Sequence, residues 1–221
     1  MDQPHNPSPE SVVSEHAVFE ADMRRRPQQA RSRQKVDAIL EAATALIGEK
    51  GIDAVSMRDI ARATDMSLSV IYQYFPNKSA ILEQLFAVFA TGTRAHTAAV
   101  AATIAGPADF IEAIEGLLTD YYETLRRQPA KADVIDAVIA DKKLAHLDVD
   151  DSRWHATVLC DAIEQAVKPE RREEFRRLVF MLNHLIGGLM RLLLSVDDAE
   201  ARRMLDDYKT LARRQLEDIL A

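Results

Sequence analysis

The stretch SLSVIYQYFPNK, residues 67–78, gathers hydroxyl, amide, phenol and ammonium groups onto a very short segment. Such groups donate hydrogen bonds to phosphate oxygens and to the edges of bases. The chain is only 6% aromatic, yet Tyr72, Tyr74 and Phe75 fall within four residues of one another. Burial in a core is one explanation and a surface that grips a polyanion is another. Neighbouring residues add to the second. Ser56 and Arg58 lie just upstream, and the run RRRPQQARSRQK, residues 24–35, concentrates six cations in twelve residues. A run of that kind suits a phosphate or minor-groove arm as well as it suits a solvated tail.

A helical enzyme is an alternative, but the chain offers no recognisable catalytic pattern elsewhere. The histidines at 5, 16, 96, 146, 155 and 184 form no HExxH or other metal-binding spacing, and no GxSxG, Walker or dinucleotide glycine pattern occurs. No metal or cofactor is expected. The single cysteine, Cys160, sits among apolar neighbours in VLCDAI and reads as a core thiol, so no disulfide framework is possible.

The elements that must position residues 56–78 are helices. Glycine and proline number only 7 and 8 in 221 residues, and alternating β-branched runs are absent. Ile39, Ala43, Leu46 and Ile47 share one helical face, which Gly51 ends by supplying a left-handed residue after Lys50. Ser56 opens a second helix through SMRD, a capping-box pattern with aspartate in place of glutamate. Ser67 opens a third of about two turns, closed by Phe75 and Pro76, and Asn77 caps a fourth. Two short helices joined by a tight turn and packed on a longer one form a helix-turn-helix pattern. The third helix is too short to persist alone, so the others must display it.

Charge divides the chain. The net charge is −7, but residues 1–23 carry five acids and no bases, residues 24–78 ten bases against six acids, and residues 79–221 eighteen bases against 24 acids. A basic segment followed by an acidic one suggests two domains with different partners. Residues 1–30 read as a disordered or basic N-terminal arm, 31–78 as the helix-turn-helix domain, and 79–221 as a second helical domain. Helices are expected near 107–128, 130–146, 151–167, 170–196 and 198–219. The N-terminus lacks the pattern of a secretory signal, and Asn183, His184 and Arg191 interrupt the most apolar stretch before it can span a bilayer, so a cytoplasmic protein with no membrane partner is expected.

The run ILEAATALIGEKGIDAVSMRDIARATDMSLSVIYQYFPNKSAIL resembles the N-terminal domain of the TetR (tetracycline repressor) family over residues 33–85. It departs from that pattern at Asp65, where glycine is common, although aspartate tolerates the left-handed turn better than most residues. The resemblance implies an all-α chain: a three-helix DNA-binding domain followed by a helical ligand-binding and dimerisation domain. It implies a homodimeric repressor released from a palindromic operator in double-stranded DNA by a small-molecule effector, with activation or chromosome organisation as alternatives on the same fold.

Residue by residue, the resemblance makes 67–74 the recognition helix. Ser67, Leu68, Ser69, Val70 and Gln73 would reach base edges, Gln73 suiting adenine and Val70 a thymine methyl. Arg58 matches a position that reaches a guanine or a phosphate, while Tyr72, Tyr74, Ser56 and Lys78 would hold phosphates. Ile71 and Phe75 are core. In the second domain, Tyr121, Tyr122, Trp154, Asn183 and His184 are candidate ligand contacts, being polar or aromatic groups within apolar helices. The last two long helices would pair with those of a second subunit through Leu178, Leu182, Leu185, Gly188, Leu189, Leu192, Met204, Tyr208 and Leu211.

Overall fold

A computed structural model describes the backbone of residues 9–221 and the side chains of residues 30–221. The chain is all-α, with no strand among the described residues. Helix α1 (Pro9–Lys50) is followed by α2 (Met57–Ala63), α3 (Leu68–Tyr74), α4 (Lys78–Ala101), α5 (Pro107–Arg127), α6 (Pro129–Ala140), α7 (Ala145–Ile163), α8 (Arg172–Leu193) and α9 (Asp198–Leu220). Of the disordered or basic arm expected over residues 1–30, the backbone from Pro9 onward is part of α1, and residues 1–8 lie outside the described residues. The side chains of Arg24, Arg25 and Arg26 lie outside the described residues.

Local chemistry sets the helix ends as the sequence predicts. Ser56 and Asp59 complete a reciprocal capping box, Ser67 accepts from the Val70 N–H, and Asn77 accepts from the Ala80 N–H. Gly51 stands at φ 75° after α1, and Asp65 takes the left-handed conformation at φ 52° in the turn between α2 and α3. One boundary differs. The helix expected over 130–146 stops at Ala140 because Asp141 turns its carboxylate to the Lys143 N–H (2.9 Å) and the Ser79 hydroxyl (3.0 Å), and α7 starts early, at Ala145.

The first apolar core draws on residues from both sides of residue 78. It joins Ile39, Ala43 and Ile47 of α1, Ile60 of α2, Ile71 of α3 and Ile81 and Leu85 of α4 to Val134 and Val138 of α6. Helix α6 lies so close to α1 that a Cβ built on Gly48 would stand 3.3 Å from the Ala130 Cβ. Two further cores hold the second domain. Phe110, Phe175 and Cys160 belong to one, and Tyr122, Met190 and Leu205 to the other. Burial pushes the Cys160 thiol up to about 12, which makes it an inert core group. No helix among the described residues is long and apolar enough to cross a membrane.

The glycines allow a direct test of these backbone constraints. Gly51 has a positive φ, whereas Gly116 lies inside α5 with open space where a Cβ would be. Gly51→Ala is expected to cost about 1 kcal/mol in urea denaturation, and Gly116→Ala to gain up to about 1 kcal/mol.

Candidate nucleic-acid interface and ligand cavity

Helix α3 is fixed by what it buries. Ile71 is fully buried and Phe75 nearly so, and the half-buried Leu68 and Tyr74 pack on the same core. The opposite face of α3 carries Ser69, Tyr72 and Gln73, all exposed, with Ser67 at its cap and Arg58 on α2. Tyr72 is 49% exposed, so its hydroxyl and part of its ring are free for a partner. The hydroxyls of Ser67 and Ser69 lie 2.9 Å apart. Val70 is half-buried at the edge of this face. Arg31, Arg33 and Lys35 of α1 are exposed as well.

Several candidates are engaged elsewhere. The Lys78 ammonium donates to the carbonyls of Ile52 (2.9 Å) and Val55 (3.4 Å), tying α4 to the loop before α2. The Ser56 hydroxyl donates to Asp59 Oδ2 at 2.6 Å, so its proton is already committed. The Tyr74 hydroxyl stands 3.5 Å from the Ser32 hydroxyl on α1. Asp59, next to Arg58 in the sequence, pairs with Arg62 and with Lys50 at 3.6 Å. That leaves Arg58 exposed and unpaired with Asp59 or Asp65.

The second domain encloses a cavity of about 510 Å³ between α4, α5, α6, α7 and α8. Its apolar wall includes Ile114, Leu117, Leu118, Ile135, Leu159 and Ile186. Tyr121, Asn183 and His184 line it, as expected of ligand contacts. Tyr122 and Trp154 do not. Tyr122 is 1% exposed in the third core and donates to Asp198 at 3.3 Å, while Trp154 packs edge-on against His155 with Arg94 over its ring.

Of the polar cavity residues that the sequence reading passes over, four come from α7. Asp148, Asp151, Ser152 and His155 recur at i, i+3, i+4 and i+7, and that polar stripe on a half-apolar helix was the available signal. Asp151 takes Arg94 Nε at 2.6 Å and His155 Nε2 at 3.4 Å. Burial pushes its carboxyl up, but the hydrogen bonds and charges of His155 and Arg94 together outweigh this and hold it below the usual carboxylate range. Asp148 lacks such support, and burial raises it. Lys131 is held below the usual lysine range by burial and lies 5.3 Å from the centre of the Phe89 ring.

The face intended for a second subunit is also resolved into two sides. Leu182 is buried, and Leu178, Leu189, Met204 and Tyr208 are half-buried against their own domain, with the Tyr208 hydroxyl donating to the Leu182 carbonyl at 2.7 Å. Leu185, Gly188, Leu192 and Leu211 are exposed, joined by Met181, which the sequence reading omits. Nothing lies within 4 Å of a Cβ built on Gly188.

The model of the tetracyclin repressor-like C-terminal domain matches residues 108–220, just over half the chain, and the model for bacterial regulatory proteins of the tetR family matches residues 39–85. The chain belongs to the TetR family. This membership, and not any missing motif, removes the enzyme alternative. A probable HTH-type transcriptional regulator, YttP of Bacillus subtilis strain 168, is 36% identical over 56 residues; that match spans 25% of this chain and 27% of YttP. The fold also matches a TetR-family transcriptional regulator of Streptomyces coelicolor, with TM-score 0.65 at 18% identity over 83% of this chain and 98% of that one. Thermus thermophilus FadR, a TetR-family transcriptional repressor solved with lauroyl-CoA, gives TM-score 0.60 at 18% identity over 82% and 92%.

The capping box yields a pH prediction. Hydrogen bonds from the Ser56 side chain and backbone, with Lys50 and Arg62 nearby, lower the Asp59 carboxyl from 3.8 to about 2. A carboxyl depressed on folding stabilises fully above its unfolded value and loses that contribution as pH falls through the folded one. Asp59→Asn is therefore expected to melt below the parent at neutral pH. The gap should close between about pH 4 and pH 2 in melts followed by circular dichroism.

Proposed function

We propose that the protein is a cytoplasmic, homodimeric repressor of transcription that binds a palindromic operator through α3 and leaves it when a small molecule fills the α4–α8 cavity. The observation that carries the DNA reading is the two-sidedness of α3: Ile71 and Phe75 are buried while Ser67, Ser69, Tyr72 and Gln73 face solvent together. A helix of seven residues held in this way suits the major groove. Tyr72 and Arg58 then serve as backbone and edge contacts, and Gln73 reads sequence with Ser69 and Val70. Lys78 and Ser56 support the interface from behind by holding the loop before α2 and the start of α2.

The dimer reading rests on the exposed apolar face of α8 and α9. Leu185 and Leu192 are about half exposed one turn either side of Gly188, with Leu211 of α9 beside them in character. Four helices, two from each subunit, would cover this face, and Gly188 would let the helices approach closely. Two α3 helices would then meet half-sites about one turn of DNA apart or somewhat more.

Helix α6 supports the link between cavity and DNA. Lys131 and Ile135 face the cavity, while Val134, Val138 and Ala130 pack on α1 and the rest of the first core. A ligand that shifts α6 therefore moves the seat of the helix-turn-helix. It needs only a different affinity for the two arrangements. That FadR carries lauroyl-CoA in its structure is consistent with a family member holding a ligand.

DNA protection upstream of the protein's own gene tests the main reading; a folded dimer that gives no footprint at moderate salt would refute it. Tyr72→Phe is expected to weaken binding to all sites alike, whereas Gln73→Ala shifts sequence preference in a binding-site selection. Leu185→Glu is expected to give a folded monomer in sedimentation at micromolar concentration, because a carboxylate would have to be buried in the bundle.

A further inference from the structure

Within the cavity, no lysine or arginine among the described residues pairs with Asp148. Asp148 is largely buried, its side chain 20% exposed, yet no hydrogen bond from a described residue reaches its carboxylate, and its ion-pair partner is His184 Nδ1 at 3.5 Å. The His184 nitrogen lies closer, 3.2 Å, to the Ser152 hydroxyl. Asp151 is different, because Arg94 and His155 already satisfy it. Tyr121, across the same space, makes no side-chain hydrogen bond among the described residues. Its phenol is pushed upward first by burial and then by the charges of Asp148, Asp151 and Asp136. The lining lysine and arginine are engaged elsewhere, and His184 and Arg191 offset the burial of Asp148 only in part. Lys131 lies by the Phe89 ring, Arg127 donates to the Glu123 carbonyl, and the charges acting on Asp148 are His184, Asp151 and Arg191.

We infer that the cavity takes an organic cation: a primary or substituted ammonium head held by the Asp148 carboxylate and the Tyr121 hydroxyl oxygen, on an apolar body that fills the aliphatic wall. This rests on the reading of the cavity as the effector site. A volume of about 510 Å³ admits a body of small-drug size. Ile114, Leu117, Leu118, Ile135, Leu159 and Ile186 supply apolar contact, while an ammonium gives Asp148 the charge-assisted hydrogen bond that the protein withholds. An aliphatic acid fits the same wall but brings its carboxylate to Asp148.

Decylammonium, decanol and decanoate, each below its aggregation concentration at neutral pH, test this on the full-length protein. Binding is read by calorimetry and by emission of Trp154, the single tryptophan, whose ring stands 5.2 Å from that of His155 on the cavity wall. Decylammonium is expected to bind about tenfold or more tighter than decanol, the discrimination of one charge-assisted hydrogen bond. Decanoate is expected to bind weakest. Asp148→Asn should bring decylammonium down to the alcohol's affinity and leave decanol unchanged.

Equal binding of the cation and the alcohol, preference for decanoate through Lys131, or no binding of any of the three would overturn the inference without any variant. An Asp148→Asn protein that folds and keeps the full preference would overturn the role of Asp148. Release of operator DNA is measured separately. Decylammonium that binds but leaves DNA bound would remove the effector role while the ligand class stands, and a failure of binding would leave DNA recognition untouched.

Discussion

Helix α3 is seven residues long and cannot persist in water by its own hydrogen bonds. The rest of the structure is organised by that constraint. Ile71 and Phe75 anchor it inward, and the core they enter is shared by α1, α2, α4 and α6. Exposing the other face of α3 costs little because the buried face is held by so many neighbours. Polar groups on a helix this short would otherwise have no fixed geometry to present.

The same core explains why the two functional regions are mechanically one. A boundary drawn on charge at residue 78 falls at the start of α4, whose first half completes the DNA-binding core and whose second half lines the cavity. Helix α6 belongs to both in another way, with its N-terminal end against Gly48 and its flank on the cavity. Tightly packed elements transmit displacement because they have few empty spaces in which to absorb it. The cavity is the place where that packing is interrupted.

Three carboxylates of similarly small exposure differ in their partners. Asp59 is stabilised by a cap and two cations, and Asp151 is stabilised by Arg94 and His155. Asp148 is raised by burial, which His184 and Arg191 offset only in part. Tyr122 and Tyr121 show the contrast for phenols. The first finds Asp198 and belongs to the core, and the second makes no side-chain hydrogen bond among the described residues and lines the cavity.

Much of the DNA-binding half was legible in the sequence because its signals act over a few residues. Ser56, Ser67 and Asn77 cap the helices that follow them, Gly51 and Asp65 take the left-handed turns, and the apolar phase alone turns Ile71 and Phe75 inward. The all-α class was legible for the same reason. Tertiary structure alone decided which polar groups are free. Lys78 reaches carbonyls 26 and 23 residues away, Tyr122 finds Asp198 76 residues away, and the cavity draws its lining from five helices. A hydrogen bond or a void between distant segments depends on how helices pack, and periodicity along one helix carries no record of which neighbour will face it.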